Sequence, residues 1–323
     1  MEPRLLQGHL GRREPRGIMS RVPTMESTEA ATHERVDFLA MSGRPVLKRR
    51  RPGQAVAIVV LVVVLAIAAV TLVTNPGFGW PTVGKYLFDT RILAGLAMTL
   101  ELTVVAEAIG FAVGMVLAVM RMNDNRIISG VASAYIWFFR GTPLLVQLLF
   151  WGFSAALFPK IGIGVPFTGL NLVEWNTNDL ISLMTAAILG LGLNEAAYTA
   201  EIVRAGLLSV PAGQTEASRA MGFSRLRTLW YVVIPQAMKV IIPPIGNNVI
   251  SMLKTTSLVI VIGVGDLLYN AQQIYAQNLR QIPLLIVASI WYVVLTTVLS
   301  LFQARLERRY SKGAARVTGK EAR

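Results

Sequence analysis

Six stretches of this chain stay apolar for roughly the 20 residues that a helix needs to cross a hydrocarbon core, and short polar segments separate them. The first, residues 55–74, reads AVAIVVLVVVLAIAAVTLVT and holds no charged residue. The second covers about 92–120 and stops at the polar run 121–126. The third covers about 128–158, the fourth 180–208, the fifth 229–264 and the sixth 283–303. The pattern predicts an all-α membrane protein of about six transmembrane helices. Helix breakers fall inside two of these stretches. Gly141 and Pro143 predict a kink or a break in the third, and Pro235, Pro243 and Pro244 predict interruptions in the fifth. Residues 1–53 are rich in Arg, Glu, Pro and Gly without apolar periodicity, and predict a disordered tail. The first apolar run exceeds the ~7–15 residues of a signal-peptide core and no A-x-A site follows, so it reads as a retained helix over 54–75.

Composition agrees with the pattern. Hydrophobic residues make up 54% of the 323 and charged residues only 15%, against about 25% in a soluble domain. The net charge of +13 could suggest a nucleic-acid ligand, but its placement argues otherwise. Residues 1–51 hold 11 Lys/Arg against 6 Asp/Glu, and residues 304–323 hold 7 against 2. Basic residues flanking membrane helices mark the cytoplasmic side, so both tails, 1–53 and 311–323, are expected there. The inner connections carry Arg121, Arg126, Arg219, Arg225 and Arg227 against Asp124 and Glu216. The outer ones, 75–91, 159–179 and 265–282, carry Lys85, Arg91, Lys160 and Arg280 against four acids. Trp80 suits the outer interface. No cysteine is present, and the two histidines, His9 and His33, lie in the tail. A metal site in the membrane region therefore lacks its usual ligands, and no nucleophile–base pair suggests catalysis.

The segment 216–235, EASRAMGFSRLRTLWYVVIP, is short, polar and basic between two apolar stretches. Pro211 suits the start of a short helix. Gly213, Gln214, Ala217 and Ser218 are small or polar and would permit close approach of a partner. Glu216 offers a charge, and Gly222 permits a sharp turn. An ordinary polar loop could show the same residues singly.

Together they carry a resemblance. Glu216, Ala217, Ser218, Gly222, Val232, Ile234 and Pro235 occupy the places of the Glu-Ala-Ala … Gly … Ile-x-Leu-Pro pattern, with Ser218, Val232 and Ile234 as mild departures. RGTPLLVQ at 140–147, AAYTAEIVRAG at 196–206, VPAGQTEA at 210–217 and IPQAMKVIIPPIGNNVISMLKTTSL at 234–258 add to it. The chain resembles, over about 76–310, the polar amino-acid branch of the permeases of ATP-binding cassette type I importers. The resemblance implies a type I permease fold with a core of five helices, the first helix being an addition. It implies a second permease subunit, identical or similar, a cytoplasmic ATPase dimer and an extracytoplasmic solute-binding protein. It also implies a bacterial inner-membrane location and an amino acid as solute. The ATPase would couple through about 209–227, at Gly213, Gln214, Glu216, Ala217, Ser218 and Gly222. ATP and magnesium would sit on that partner, leaving this chain without a cofactor. Independently, the sequence contains no G-x-x-x-x-G-K-[ST] loop; Thr318-Gly319-Lys320 lacks the leading glycine.

Glu101 and Glu107 lie in the second stretch, Asn194, Glu195 and Glu201 in the fourth and Lys254 in the fifth, and charges at membrane depth face a cavity or a partner. Glu101 and Glu107 are six residues apart and fall on different helix faces. Glu201 and Arg204 are three apart and can pair. Arg140 can meet a solute carboxylate or cap a broken helix. The fifth stretch gathers Asn247, Asn248, Lys254, Thr256 and Ser257 near two prolines, and with Glu101 these are candidates for the solute path or gate. Hydrogen bonding between helices is the other use of such residues. Glu101 suggests a cationic solute and Lys254 an anionic one. An ion-gradient-driven secondary amino-acid transporter is the alternative; it would favour more spans and an internal repeat, and no repeat is visible. A membrane scaffold would leave the polar residues without function.

Overall fold

The computed structural model describes residues 52–164 and 171–311. The expected tails, with His9, His33 and Thr318–Lys320, fall outside the described residues. Two units divide between Val70 and Thr71. Helix α1 (Pro52–Thr74) begins in the first, and its residues 56–70 are all exposed. Its mean hydropathy over Val56–Thr74 is 3.4. A helix apolar on every side has no face to turn toward water, which suits hydrocarbon.

The second unit opens with a capped turn. The Asn75 side chain accepts from Gly77 N, and the Trp80 indole donates to Leu72 O at 2.9 Å. Helix α2 (Trp80–Tyr86) leads to α3 (Thr90–Arg121), 32 residues N-capped by Asp89, whose carboxylate accepts from Arg91 N at 2.9 Å. Next come α4 (Arg126–Gly141), α5 (Leu144–Gly152) and α6 (Ser154–Leu157). The third apolar stretch is three helices, broken at Gly141–Pro143 as those residues predict. Thr142 precedes a proline and is extended (φ −108, ψ 141), as a residue before proline prefers. The break exposes carbonyls, and the Gln147 amide covers two of them, Phe139 O at 3.0 Å and Thr142 O at 3.1 Å.

The expected outer loop contains a feature the apolar pattern does not announce. Strands β1 (Lys160–Gly164) and β2 (Asn171–Asn176) pair antiparallel, Ile161 opposite Trp175, with Lys160 and Glu174 bridged at 3.1 Å. Then follow α7 (Thr177–Leu180), α8 (Leu183–Leu208), α9 (Ala212–Ala220) and α10 (Arg225–Thr228). A wide π-type turn, Leu229–Val233, leads into α11 (Ile234–Thr255). Pro235 has no N–H to donate and its ring crowds the carbonyl four residues back, which accounts for the widened turn. Pro243 and Pro244 lie inside α11 without ending it. A 3₁₀ segment, Thr256–Ile262, then α12 (Leu267–Asn278) and α13 (Gln281–Ser311) complete the described chain.

Helix α8 is the hub and packs on α3, α4, α5 and α11. Lipid tails are as apolar as leucine, so close packing, rather than escape from water, holds such helices together. Glycines provide that closeness. A Cβ at Gly110 would stand 2.7 Å from Glu195 Cγ, and one at Gly114 would stand 2.8 Å from Ala196 O. Leu102, Leu148, Leu191 and Val259 fill one cluster of the core. Leu117, Ala196, Val203 and Ile241 fill a second, and Ile92, Leu267, Leu284 and Val287 a third near the α12–α13 end. Among the described residues, α1, α3, the run Arg225–Ile262 and α13 are long and apolar enough to cross a membrane. Helix α8 has the length, with 26 residues, but Asn194, Glu195 and Glu201 dilute its hydropathy while facing neighbouring helices.

Candidate functional site

A cavity of about 300 Å³ opens between α8, α11 and the start of α5. Leu144 forms one wall. Asn194, Glu195 and Tyr198 enter from α8, and Asn248, Ser251, Met252 and Thr255 from α11. The spacings 194/198 and 248/251/255 are those of single helix faces. Glu195 is its one charged lining residue and is only 7% exposed. Its Oε1 accepts from Asn248 Nδ2 at 2.7 Å and from Thr199 Oγ1 at 3.1 Å. A lone buried carboxylate would be costly, and these two donors offset that. Glu107 lies one turn before Gly110, the residue of α3 that packs against Glu195. Glu107 Oε1 is buried without a hydrogen-bond partner among the described residues.

The cavity rim is polar and braced. Asn194 Nδ2 donates to Phe139 O at 2.9 Å and to Gln147 Oε1 at 3.2 Å, tying α8 to the break between α4 and α5. The Tyr135 hydroxyl donates to Leu193 O at 2.8 Å. The Arg140 guanidinium stands 5.3 Å from the centre of the Tyr198 ring, a cation–π distance. Tyr198 thus joins a cationic rim to an acidic interior. Glu201 and Arg204 pair at 2.8 Å further along α8.

The candidates for the solute path do not converge. Asn248 alone of them reaches the cavity. Asn247 accepts from Gln303 Nε2 at 3.0 Å, on the side of α11 that meets α13. Thr256 is buried and donates to Leu253 O. Lys254 and Ser257 line a separate groove with α12 and α13. Glu101 is exposed on α3. The helical period explains this scatter. Five residues clustered between 247 and 257 point around the whole helix and cannot share one wall. Of the cavity residues, Asn194 and Glu195 stand out as polar groups at membrane depth, while Tyr198, Ser251 and Thr255, which the clustering overlooks, carry a different signal. They are polar positions repeating at helical spacing on two separate helices.

The polar segment 209–227 is ordered. Gly213, Gln214, Glu216 and Ala217 are exposed on α9, while Ser218 is buried. Ser218 Oγ and Thr228 Oγ1 share a hydrogen bond at 2.5 Å, and Phe223 N donates to Ser218 O at 3.1 Å. Gln236 Nε2 reaches Gln214 Oε1 at 3.5 Å. Gly222 turns the chain with φ +84, in the left-handed region, and a Cβ there would meet nothing within 4 Å. The short helix is therefore clipped to the base of α11 and leaves its other side open.

Comparison with known proteins adds the family. Residues 110–312 match the model of the binding-protein-dependent transport system inner membrane component. The arginine transport system permease protein ArgU of Corynebacterium glutamicum is 44% identical over 83% of this chain and 83% of its own length. The glutamine transport system permease protein GlnP of Escherichia coli K12 is 36% identical over 71% of this chain and 94% of its own. A crystal structure of an amino acid ABC transporter with histidines superposes with a TM-score of 0.59 at 38% identity, covering 69% of this chain and 95% of that one. Such permeases are parts of ATP-driven systems, which sets aside the ion-gradient alternative. The chain belongs to the family of binding-protein-dependent transport system inner membrane components and is a permease subunit of the type I fold.

Proposed function

We propose that this permease subunit carries amino acids with a cationic side chain through the cavity around Glu195. The chain is the permease subunit of an ATP-driven amino-acid importer, and ATP hydrolysis belongs to a partner subunit. The observation that carries the solute assignment is the charge of the cavity. Glu195 is its one charged wall residue; Glu107, outside the lining, is a further carboxylate with one oxygen unpartnered among the described residues. A buried carboxylate in the cavity wall favours a guanidinium or ammonium group, while Arg140 on Tyr198 suits the solute's carboxylate at the rim. The 44% identity to a permease named for arginine transport supports the same reading.

The ATPase dimer, holding ATP and magnesium, docks on the open side of α9 at Gly213, Gln214, Glu216 and Ala217, with Gly222 shaping the turn and Ser218 anchoring it. Both tails lie in the cytoplasm of a bacterial inner membrane. A solute-binding protein delivers the amino acid from outside. The test is uptake of radiolabelled arginine by the complex reconstituted with its ATPase and binding protein. Glu195→Gln is expected to abolish arginine uptake while the ATPase still co-purifies. Wild-type arginine uptake by Glu195→Gln would overturn the assignment.

A further inference from the structure

A groove of about 380 Å³ runs along α10 and the wide turn that leads into α11, lined by Leu226, Arg227, Trp230 and Tyr231. These positions, i, i+1, i+4 and i+5, form two neighbouring ridges on one helical surface. Leu226 and Trp230 make an apolar ridge, 65% and 60% exposed, and Arg227 and Tyr231 a polar one beside it. The Arg227 guanidinium, the Trp230 indole N–H and the Tyr231 hydroxyl have no hydrogen-bond or ion-pair partner among the described residues. All three can donate, and the guanidinium and indole cannot accept. The sequence holds no Asp or Glu from 217 to 265, while Arg219 and Arg225 add positive charge just before the groove. Such a surface takes an anion.

Its place in the fold decides which anion. The Thr228 hydroxyl bonds Ser218 of α9. Leu226 and Trp230 stand two residues before and two after Thr228, about half a turn away at 3.6 residues per turn. The groove therefore faces away from α9, where the ATPase is proposed to dock. It also lies where the polar segment 209–227 gives way to the apolar run 229–264, the level at which Trp and Tyr collect in membrane proteins. A soluble anion would leave Leu226 and the indole face against water. A phospholipid covers both ridges at once, and the cytoplasmic leaflet supplies anionic ones to basic residues at its surface.

We propose that the groove holds an anionic glycerophospholipid of the inner leaflet, its phosphate on Arg227 and Tyr231 and its apolar part on Leu226 and Trp230. The planar guanidinium suits a phosphate through paired N–H bonds. The site rests on segment 209–227 facing the cytoplasm, as the importer reading has it. Bound opposite the Ser218–Thr228 contact, the lipid steadies the short piece of chain between α9 and α11.

The complex with its ATPase is titrated with phosphatidylglycerol or phosphatidylcholine, and retained lipid is followed by native mass spectrometry. Preferential retention of phosphatidylglycerol is expected. Arg227→Gln should weaken it about fivefold, the worth of one basic residue at an anionic surface, and Trp230→Ala should weaken it too. Arg227→Lys should recover part of the loss. Wild-type retention by Arg227→Gln would overturn the site, and if that variant lost the ATPase instead, the groove would be an ATPase contact. An equal loss in Arg126→Gln, on another polar connection, would reduce the effect to diffuse charge and overturn it as well. So would displacement of the lipid by millimolar inorganic phosphate, which would mark a site for a free anion. The chain has no cysteine, so an impermeant maleimide on Arg227→Cys reports the side of the membrane. Labelling from the cytoplasmic side is expected; labelling from outside would overturn the placement and the site together. Correct labelling without lipid preference would overturn the site alone. Neither readout uses transport, so both stand apart from the Glu195 test.

Discussion

At the scale of single residues, the cavity depends on who donates to Glu195. Asn248→Ala removes the 2.7 Å bond and leaves one donor, Thr199, on a buried oxygen. A lost partner at a buried acceptor costs about 1–3 kcal/mol. The variant is expected to unfold at lower temperature in detergent and to raise the KM for uptake, both measurable on one preparation. Unchanged values of both would mean that Asn248 does not support Glu195. Asp89 gives a prediction with a pH sign. The Arg91 side chain beside it, 3.1 Å away, holds its carboxyl below the ordinary 3.8, with the Arg91 N–H adding to the effect. A depressed carboxyl stabilises fully above the unfolded value and loses that contribution as pH falls through the folded one. Asp89→Ala should therefore cost about 1 kcal/mol at neutral pH, the usual worth of an N-cap. In thermal melts the gap from wild type should close below roughly pH 4; a gap that widens in acid would refute the sign.

At the scale of elements, α3 and α8 approach each other through Gly110 and Gly114, one turn apart. A leucine at 114 must displace Ala196 backbone or Thr199, neither of which is the free end of a flexible chain. Overpacking of this kind costs about 1–3 kcal/mol or more. Gly114→Leu is expected to reduce the yield of folded, monodisperse permease in detergent, and Gly114→Ala to do so less. Equal yields for all three would mean that the helices do not need this closeness. Much of the element order was legible in the sequence, because apolar length and proline placement are local signals. The break at Gly141–Pro143 and the ordered turn at Pro211 follow from single residues. The pairing of strands 160–164 and 171–176 was not legible, since the alternation is short and the pairing is non-local. Nor was the cavity. Its residues are far apart in sequence and meet only because α8 and α11 pack, while the polar cluster at 247–257 that drew attention is scattered by the helical period.

At the scale of the whole molecule, one helix joins the two ends of the transport problem. The short α9 is fastened by Ser218–Thr228 to α10, which leads into α11, and by Gln214–Gln236 to the base of α11 itself. Helix α11 then runs from Ile234 to Asn248, about 20 Å at 1.5 Å per residue, and there it holds Glu195. With the ATPase docked at α9 as proposed, its displacement of α9 would reach the cavity only if the fastening holds. Pro243 and Pro244 free the ladder midway and give α11 a place to bend. Removing the clip should then separate two activities that the wild type links. Ser218→Ala with Thr228→Ala removes both hydroxyls from a contact buried on each side. Because both partners go together, no orphaned donor remains, and the fold should lose little. The double variant is expected to bind the ATPase and permit hydrolysis, yet to import far less solute per ATP. Glu216→Lys, on the exposed side of α9, should instead lose the ATPase itself. The ratio of uptake to hydrolysis in proteoliposomes distinguishes these failures. If the clip variant kept the wild-type ratio, force would have to enter the membrane by some route other than the base of α11.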